Sequence, residues 1–248
     1  MSEFLQKSRH KGIYLLPNLF TTINLLAGFY AIIAGMNGDF ALAATAIFVA
    51  MVMDTLDGRV ARLTHTQTEF GAQYDSLADI VAFGLAPALV AYSWVMVDLG
   101  KLGWSIAFLY VATAALRLAR FNTQTATVDR RYFVGLPSPA AAGVLAGFIG
   151  LVHVLNIEGT SVAVVLALLT TMVSVLMVSY IRFYSFKQID LRGRVPFIVM
   201  WVIVLGFVAI SLDPPVMLFG AFFLYALSGP CAALWRWYNR KYHVKTQA

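Results

Sequence analysis

The sequence predicts an all-α integral membrane protein, a polytopic helical bundle with about eight transmembrane helices. Hydrophobic residues make up 60% of the chain, charged residues only 12%, and the mean hydropathy is +0.77. Soluble domains usually carry roughly 25% charged residues. A second observation is that apolar stretches of membrane length recur along the chain. A third is that Lys and Arg gather at alternate ends of these stretches.

Eight apolar stretches approach the roughly 20 residues that a helix needs to cross a bilayer. The stretch at 195–212 is short, and a very short turn at Asp213-Pro214-Pro215 joins it to the last one. In chain order the stretches run approximately over residues 15–36, 40–62, 68–97, 102–122, 137–157, 161–184, 195–212 and 214–236.

The basic residues predict the orientation of these helices. If both termini are cytoplasmic, Lys101 is the one basic residue in an external turn, and the other seventeen of the 18 Lys and Arg residues lie inside. This asymmetry is what the positive-inside rule predicts. The net charge of +6 is then explained by orientation and by attraction to anionic lipid headgroups. We expect no nucleic-acid partner.

The chain reads as a single membrane domain over residues 1–248, because every connection is short enough to join neighbouring antiparallel helices. We place a catalytic core at about 14–184 and extra helices at about 195–236. Cys231 is the only cysteine, which excludes an intrachain disulfide.

Four aspartates stand out in the second and third apolar stretches, where an ionisable residue is costly and by default indicates a functional site. Asp54 and Asp57 are three residues apart, and Asp75 and Asp79 are four apart. Residues at these spacings share one face of a helix. Each of the two helices therefore presents a pair of carboxylates.

The turn between these helices predicts that the two pairs meet. Thr66 and Glu69 have the spacing of a capping box that would start the third helix. Asp57 lies nine residues before Thr66 and Asp75 nine after it. The outer pair is also matched, at twelve residues before and thirteen after. At about 1.5 Å of rise per residue, all four carboxylates are expected to converge.

Converged carboxylates repel one another unless a positive charge lies among them. Oxygen ligands favour hard cations such as Mg²⁺, Mn²⁺ or Ca²⁺ over zinc. Four carboxylates can hold two ions, and two ions suit an attack on a diphosphate. The alternative is that single aspartates act as caps or solvated surface groups, and that glycines nearby serve helix packing. Four aspartates at matched depth favour the metal site.

Small and basic residues flank the carboxylates. Gly58 and Ala61 lie about one turn apart beside Asp57, and Gly71 is one turn before Asp75. Such residues let a bulky ligand approach the backbone closely. Arg59 and Arg62 add cationic donors suited to phosphate.

These positions together carry a family resemblance. The pattern Asp54-x2-Asp57-Gly58-x2-Ala61-Arg62-x8-Gly71-x3-Asp75-x3-Asp79 resembles the complete signature of the CDP-alcohol phosphatidyltransferases. These enzymes move a phosphatidyl group from a CDP-linked lipid to an alcohol and release CMP. The resemblance implies that Asp54, Asp57 and Asp75 are metal ligands and that Asp79 is both a metal ligand and the general base. It also implies that Gly58, Ala61, Arg62 and Gly71 surround the CDP group.

Further strings resemble the phosphatidylserine synthases of this family, over roughly residues 14–150. Eight transmembrane helices also fit that branch. The strings are Pro17-Asn18-Leu19-Phe20-Thr21-Thr22-Ile23-Asn24, Phe83-Gly84-Leu85-Ala86-Pro87, Ala119-Arg120-Phe121-Asn122 and Gly135-Leu136-Pro137-Ser138-Pro139. The resemblance implies the substrates CDP-diacylglycerol and L-serine, a homodimer, and a bacterial cytoplasmic membrane with the active site facing the cytoplasm.

Candidates for the remaining contacts follow from chemistry. Arg117 and Arg120 could bind the serine carboxylate, because Arg binds such groups bidentately, although basic residues at that helix end are also what orientation demands. Asn18 and Thr21 lie one turn apart and could line the cavity toward the diphosphate; Asn18 could equally be a cap after Pro17. Ser138, between two prolines, is either a structural turn or an acceptor contact.

The predicted mechanism is a metal-assisted displacement in which two ions neutralise the diphosphate and Asp79 removes the serine hydroxyl proton. Within the same chemistry, the acceptor could instead be glycerol 3-phosphate or inositol phosphate. A cation transporter is the alternative from another class, although transport carboxylates usually lie near the bilayer midplane, whereas these aspartates lie toward one end of their helices.

Overall fold

All eight predicted apolar stretches contain helix in the computed structural model, which describes residues 15–64, 66–124, 132–157, 160–184 and 197–243. The elements follow in chain order: α1 (Leu15–Met36), α2 (Phe40–Leu63), α3 (Glu69–Asp79), a π-helical turn (Ile80–Leu85), α4 (Ala86–Trp94), a 3₁₀ turn (Met96–Leu99), α5 (Lys101–Gln124), β1 (Tyr132–Val134), α6 (Ser138–Leu155), α7 (Thr160–Val178), β2 (Arg182–Tyr184), α8 (Phe197–Leu212) and α9 (Pro214–His243).

Six helical segments in the described ranges are long and apolar enough to cross a membrane. They are Pro17–Met36, Phe40–Leu63, Glu69–Trp94, Lys101–Thr123, Ser138–Leu155 and Pro214–Arg236. The apolar part of α7, Val162–Val178, is shorter, and α8 has 16 residues. At about 1.5 Å per residue, α8 is about 24 Å long, less than the roughly 30 Å hydrocarbon core. The all-α membrane bundle is confirmed, while the count of eight crossings remains a prediction.

Helix α1 packs along α2 and against the segment from α3 to α4. Buried alanines, among them Ala31, Ala43 and Ala50, form much of this contact. The helices approach each other closely at Gly28, where an added Cβ would lie 2.5 Å from the Cα of Ala82. Small residues at such contacts let membrane helices come close together. Helix α1 is thereby held against the two helices that carry the aspartates.

The turn between α2 and α3 lies where the sequence predicted it, but the predicted capping box is wrong. Helix α3 begins at Glu69, and its N-cap is Thr68, whose side-chain oxygen accepts a hydrogen bond from the Gly71 N–H at 3.0 Å. Thr66 is buried instead, and its hydroxyl lies 2.7 Å from that of Thr64. The physical reason is that the extended Thr68 backbone places its own hydroxyl on a free amide of the first turn.

A π-helical turn follows Asp79 directly and separates α3 from α4. The Ala86 N–H donates to the Val81 carbonyl, five residues earlier. The fully buried Tyr110 of α5 donates its hydroxyl hydrogen to the Phe83 carbonyl at 3.0 Å. Such turns insert one residue into an α-helix and are frequent at functional sites. The predicted third span is therefore one continuous helical segment with a change of register in its middle.

A short antiparallel sheet, which the sequence did not predict, joins the segments that precede α6 and follow α7. Its register pairs Tyr132 with Tyr184 and Val134 with Arg182. Gly135 ends β1 with a φ of +82°, and an added Cβ there would strike the Met177 carbonyl oxygen. Only glycine adopts such a conformation without cost. The sheet holds the start of α6 against the end of α7.

Candidate active site

The α2–α3 hairpin brings three of the four predicted carboxylates together. One oxygen from each of Asp54, Asp57 and Asp75 lies within 4.8 Å of the others. Asp57 is buried, and the other two are partly buried. The matched distances from the turn therefore gave the correct result for these three residues.

Asp79 lies one helical turn beyond Asp75 and stands apart from the three clustered carboxylates. Its Oδ1 accepts a hydrogen bond from the Nδ2 of Asn24 at 3.2 Å. It is still close enough to Asp54 and Asp75 for their charges to interact. The prediction that Asp79 differs in role from the other three aspartates agrees with this separate position, although the role itself remains a prediction.

Helix α1 forms the third side of the site, next to α2 and α3, with polar residues that follow one another every three positions on one helix face. The buried Thr21 donates its hydroxyl hydrogen to Asp57 Oδ2 at 2.9 Å. Asn24, which is 0% exposed, holds Asp79. Asn18 lies in the same row, with its Oδ1 3.5 Å from the position that a Cβ on Gly71 would take. Because α1 already includes Leu15, Asn18 lies inside the helix, so the cap alternative is wrong.

The small residues of the signature border this cluster. At Gly71, an added Cβ would lie 3.0 Å from Thr68 Oγ1, so even one methyl group would crowd the first turn of α3. Gly58 faces open space apart from the guanidinium of Arg62, about 4.0 Å from where its Cβ would be. Ala61 is partly buried and Arg62 is exposed. Their contacts with a nucleotide remain predictions.

Of the two arginines predicted to bind the acceptor, Arg117 lies within the range over which its charge interacts with those of Asp79 and Asp54. Its NH1 donates to the Oγ of Ser138, which is fully buried at the start of α6, at 2.6 Å. Arg120 contacts α7 instead: its NH1 donates to the Val178 carbonyl at 3.4 Å, and its guanidinium lies over the ring of Tyr180.

Asn24 is the site residue that the sequence reasoning missed, although the signal was available. Asn18, Thr21 and Asn24 recur every three residues, a spacing that places them on one helix face. Two further polar pairs were also missed: the hydroxyls of Thr22 and Tyr74 lie 3.0 Å apart, and Asn122 donates to Ser76 at 3.0 Å. Both pairs join residues on separate helices, which local spacing does not reveal.

The clustered carboxylates fit a divalent cation. Their donor atoms are all oxygens, which hard cations such as Mg²⁺, Mn²⁺ and Ca²⁺ prefer. Two oxygens that share one Ca²⁺ can lie about 4.6–5.2 Å apart, and two that share one Mg²⁺ at most about 4.2 Å apart. The three carboxylate oxygens lie within 4.8 Å of one another, so they fit the larger ion as they stand and would move slightly closer together around Mg²⁺. Asp54, Asp57 and Asp75 could therefore hold an ion together.

Comparison with known proteins agrees with the family resemblance of the site residues. The family model of CDP-alcohol phosphatidyltransferase matches residues 14–208. A CDP-diacylglycerol--serine O-phosphatidyltransferase of Helicobacter pylori is 37% identical over 216 residues, which cover 87% of this chain and 90% of the relative. A protein of the same name from Methanocaldococcus jannaschii is 33% identical over 178 residues, 72% of this chain and 78% of the relative.

An archaetidylserine synthase of Methanothermobacter thermautotrophicus is 34% identical over 170 residues, which cover 68% of this chain and 69% of the relative. The match with the family model includes α1, the α2–α3 hairpin, α5 and α6, and thus every residue of the candidate site. This chain belongs to the CDP-alcohol phosphatidyltransferase family.

Proposed function

We propose that this membrane enzyme transfers a phosphatidyl group from CDP-diacylglycerol to L-serine and produces phosphatidylserine and CMP. The observation that carries the proposal is the convergence of Asp54, Asp57 and Asp75 on a membrane hairpin. Relatives that match most of this chain are named for the serine reaction. The carboxylate cluster and these relatives together support a reaction at the diphosphate of CDP-diacylglycerol while its acyl chains stay in the bilayer.

The three clustered carboxylates hold divalent cations, with Asp79 as a further ligand. We propose two ions, Mg²⁺ or Mn²⁺, with Ca²⁺ as a possible substitute. When bound, such cations neutralise the charge of the diphosphate and favour attack at phosphorus. Thr21 fixes the orientation of Asp57 through its 2.9 Å hydrogen bond. Residues that orient a ligand in this way tune its affinity for the metal.

The CDP group binds beside the small residues that border the carboxylates. Gly58 and Ala61 on α2 and Gly71 on α3 leave room beside the carboxylates, and the Arg62 guanidinium is exposed nearby. Arg matches the geometry of phosphate oxygens. Asn18 completes this side, because its amide oxygen lies next to Gly71.

Serine binds between Asp79 and Arg117. The Arg117 guanidinium pairs with the serine carboxylate and is steadied by Ser138, which we therefore assign to positioning. Arg120 is the weaker candidate because its guanidinium is engaged with α7 and Tyr180.

The chemical step exchanges one phosphorus–oxygen bond for another. The serine hydroxyl oxygen bonds to the lipid-side phosphorus, the bond from this phosphorus to the CMP oxygen breaks, and Asp79 takes the hydroxyl proton. A carboxylate is a weak base toward an alcohol, so positioning must supply much of the acceleration.

The placement of basic residues supports the proposed orientation in the membrane. Both termini and the CDP site face the cytoplasm, in keeping with the positive-inside rule, and the membrane is the bacterial cytoplasmic membrane. We also propose that the enzyme is a homodimer, as the family resemblance implies.

A CMP-release assay on the purified protein tests the proposed reaction. CDP-diacylglycerol is supplied with L-serine, glycerol 3-phosphate or inositol phosphate, with and without a divalent cation. We expect phosphatidylserine and CMP from serine only when the cation is present. Faster release with another acceptor would reassign the substrate. Cation uptake into vesicles without CMP release would favour a transporter.

The Asp79→Asn variant tests the base. Loss of a positioned base typically lowers the rate by 10²–10⁴-fold, whereas binding of CDP-diacylglycerol should persist. Asp98→Asn is the matched control, because Asp98 is exposed in the 3₁₀ turn after α4. Undiminished turnover of Asp79→Asn would remove Asp79 from the base role.

A further inference from the structure

We infer that Asn24 recognises the ammonium group of the acceptor while it positions Asp79, so that this one side chain selects an amino acid over a plain alcohol. The inference rests on the proposed serine reaction and names the residue that gives it its specificity.

The first observation is that the nitrogen of the Asn24 amide has a hydrogen-bond partner, whereas its oxygen has none among the described residues. Its Nδ2 donates to Asp79 Oδ1 at 3.2 Å. Its Oδ1 is buried and has no hydrogen-bond partner among the residues that the structure describes. With Asp79 ionised, as the proposed base must be, its oxygen can accept a hydrogen bond only from the NH₂ end, and this fixes the orientation of the amide.

The second observation is the burial of this side chain, which is 0% exposed. A buried carbonyl oxygen without a donor is unfavourable, and native proteins rarely leave one unpaired. The oxygen therefore suits a donor that enters with the substrate. The donor that we assign to it is the acceptor's ammonium, because Asn24 holds Asp79, the base that the acceptor's hydroxyl must reach.

The third observation is the arrangement around Asp79. Asn24 of α1 donates a hydrogen bond to this carboxylate, and Arg117 of α5 lies within the range over which its charge interacts with that of Asp79. Serine carries its hydroxyl and its ammonium on adjacent carbons. A serine whose hydroxyl points to Asp79 thus brings its ammonium next to the neighbouring amide, while its carboxylate can turn toward Arg117. The three polar groups of serine match three groups of the protein.

Substrates that lack one group distinguish recognition from a structural role. The acceptor 3-hydroxypropionate keeps the hydroxyl and the carboxylate of serine but has no ammonium. We expect the wild type to prefer serine, and we expect Asn24→Leu, which keeps the branched shape but has no polar side-chain atoms, to lower that preference in kcat/KM by about 10- to 100-fold. A structural defect would slow both acceptors equally and leave the preference unchanged.

A second variant separates the two roles of Asn24. Asn24→Asp keeps an oxygen for the ammonium but cannot donate to an ionised Asp79. Its kcat should fall while its preference for serine persists. Leu26→Ala is the control on the exposed face of the same helix, and it should leave both quantities unchanged. Loss of the preference in Asn24→Asp would overturn the assignment of the oxygen to the ammonium.

Three binding measurements on Asn24→Leu test whether the partner of this oxygen is serine, the CDP-lipid or a metal ion. They can also be made if the variant turns over too slowly for kinetics. Equilibrium dialysis with L-serine in the presence of CDP should show weakened binding of serine. The affinity for CDP-diacylglycerol and the half-saturating Mg²⁺ concentration should match the wild type. A weaker CDP-lipid affinity would assign the oxygen to the nucleotide, and a higher Mg²⁺ requirement would make it a metal ligand; either result overturns the inference.

These outcomes are separate from failure of the proposed function. If the wild type produces no phosphatidylserine, the proposed function itself is wrong. If it produces phosphatidylserine but the preference over 3-hydroxypropionate is the same in wild type and Asn24→Leu, only the role of Asn24 is refuted.

Discussion

Replacing Thr21 with valine tests whether α1 controls the metal site through a single hydrogen bond. Valine keeps the branched shape of threonine but cannot donate to Asp57. Both side chains are buried, with 3% and 4% exposure, and the bond between them is 2.9 Å long. A hydrogen bond to a charged group contributes about 1.5–3 kcal/mol. Since about 1.4 kcal/mol corresponds to a factor of ten, the affinity of the site for a divalent cation should fall by at most about 10- to 150-fold, because part of this energy is also present without the ion.

The assay is CMP release at increasing concentrations of free Mg²⁺. The half-saturating concentration should rise for Thr21→Val, while the rate at saturating Mg²⁺ stays near that of the wild type, because the metal ligands are intact. Comparable orienting contacts typically change metal affinity by 10- to 100-fold, which agrees with the value obtained from the hydrogen bond.

Thr45→Val is the matched control. The Thr21 hydroxyl also lies 3.1 Å from the Pro17 carbonyl, four residues earlier, and the Thr45 hydroxyl makes the equivalent contact with Ala41 at 2.9 Å. Thr45 is exposed. An unchanged Mg²⁺ requirement in Thr21→Val, or an equal increase in both variants, would refute the proposed role of the bond to Asp57.

Gly28→Ala should lower the melting temperature by several degrees in a thermal unfolding experiment in detergent. The added Cβ would lie 2.5 Å from the Ala82 Cα, and overpacking of this kind costs about 1–3 kcal/mol. Gly220→Ala is the control and should be neutral, because its Cβ would meet nothing within 4 Å. Tyr110→Phe should cost about 1–3 kcal/mol by leaving the buried Phe83 carbonyl without its donor, and an unchanged melting temperature would contradict this. EDTA should stop CMP release and added Mg²⁺ or Mn²⁺ should restore it, whereas release in the presence of EDTA would contradict a metal role for the carboxylates.

The helical bundle and the carboxylate cluster could be predicted because both depend on local regularities. Hydropathy marks the helices, since backbone polar groups in lipid must be satisfied within the segment. The distances of Asp57 and Asp75 from the turn are equal, so two straight antiparallel helices bring them to the same level. Neither inference requires knowledge of a third element.

The features that escaped prediction depend on contacts between separate elements. Both Thr66 and Thr68 could cap α3, and the choice depends on backbone angles that the sequence pattern does not give. The β1–β2 sheet pairs segments about 50 residues apart, and each strand is too short to show an alternating pattern. Likewise, the contact between Arg117 and Ser138 depends on how α6 sits against α5.

Asn24 illustrates the same limit within a single helix. Its position on the face shared with Asn18 and Thr21 could be read from the spacing, but its partner could not. That partner is Asp79, 55 residues later, and the register of α1 against the segment from α3 to α4 is set by packing of small residues, as where Gly28 meets Ala82. Sequence spacing gives the face of a helix, while packing decides which group the face meets.

The π-helical turn after Asp79 has a consequence for how this fold can vary. Each residue advances an α-helix by about 100° around its axis, so the extra residue in Ile80–Leu85 turns α4 by roughly that angle relative to α3. Within the single segment Glu69–Trp94, the α3 side chains, which include the carboxylates, and the α4 side chains, which pack in the bundle, are therefore rotated relative to one another around the helix axis. Substitutions beyond Leu85 can adapt the packing of the bundle to a different bilayer or a different neighbouring protein without changing the orientation of the α3 carboxylates.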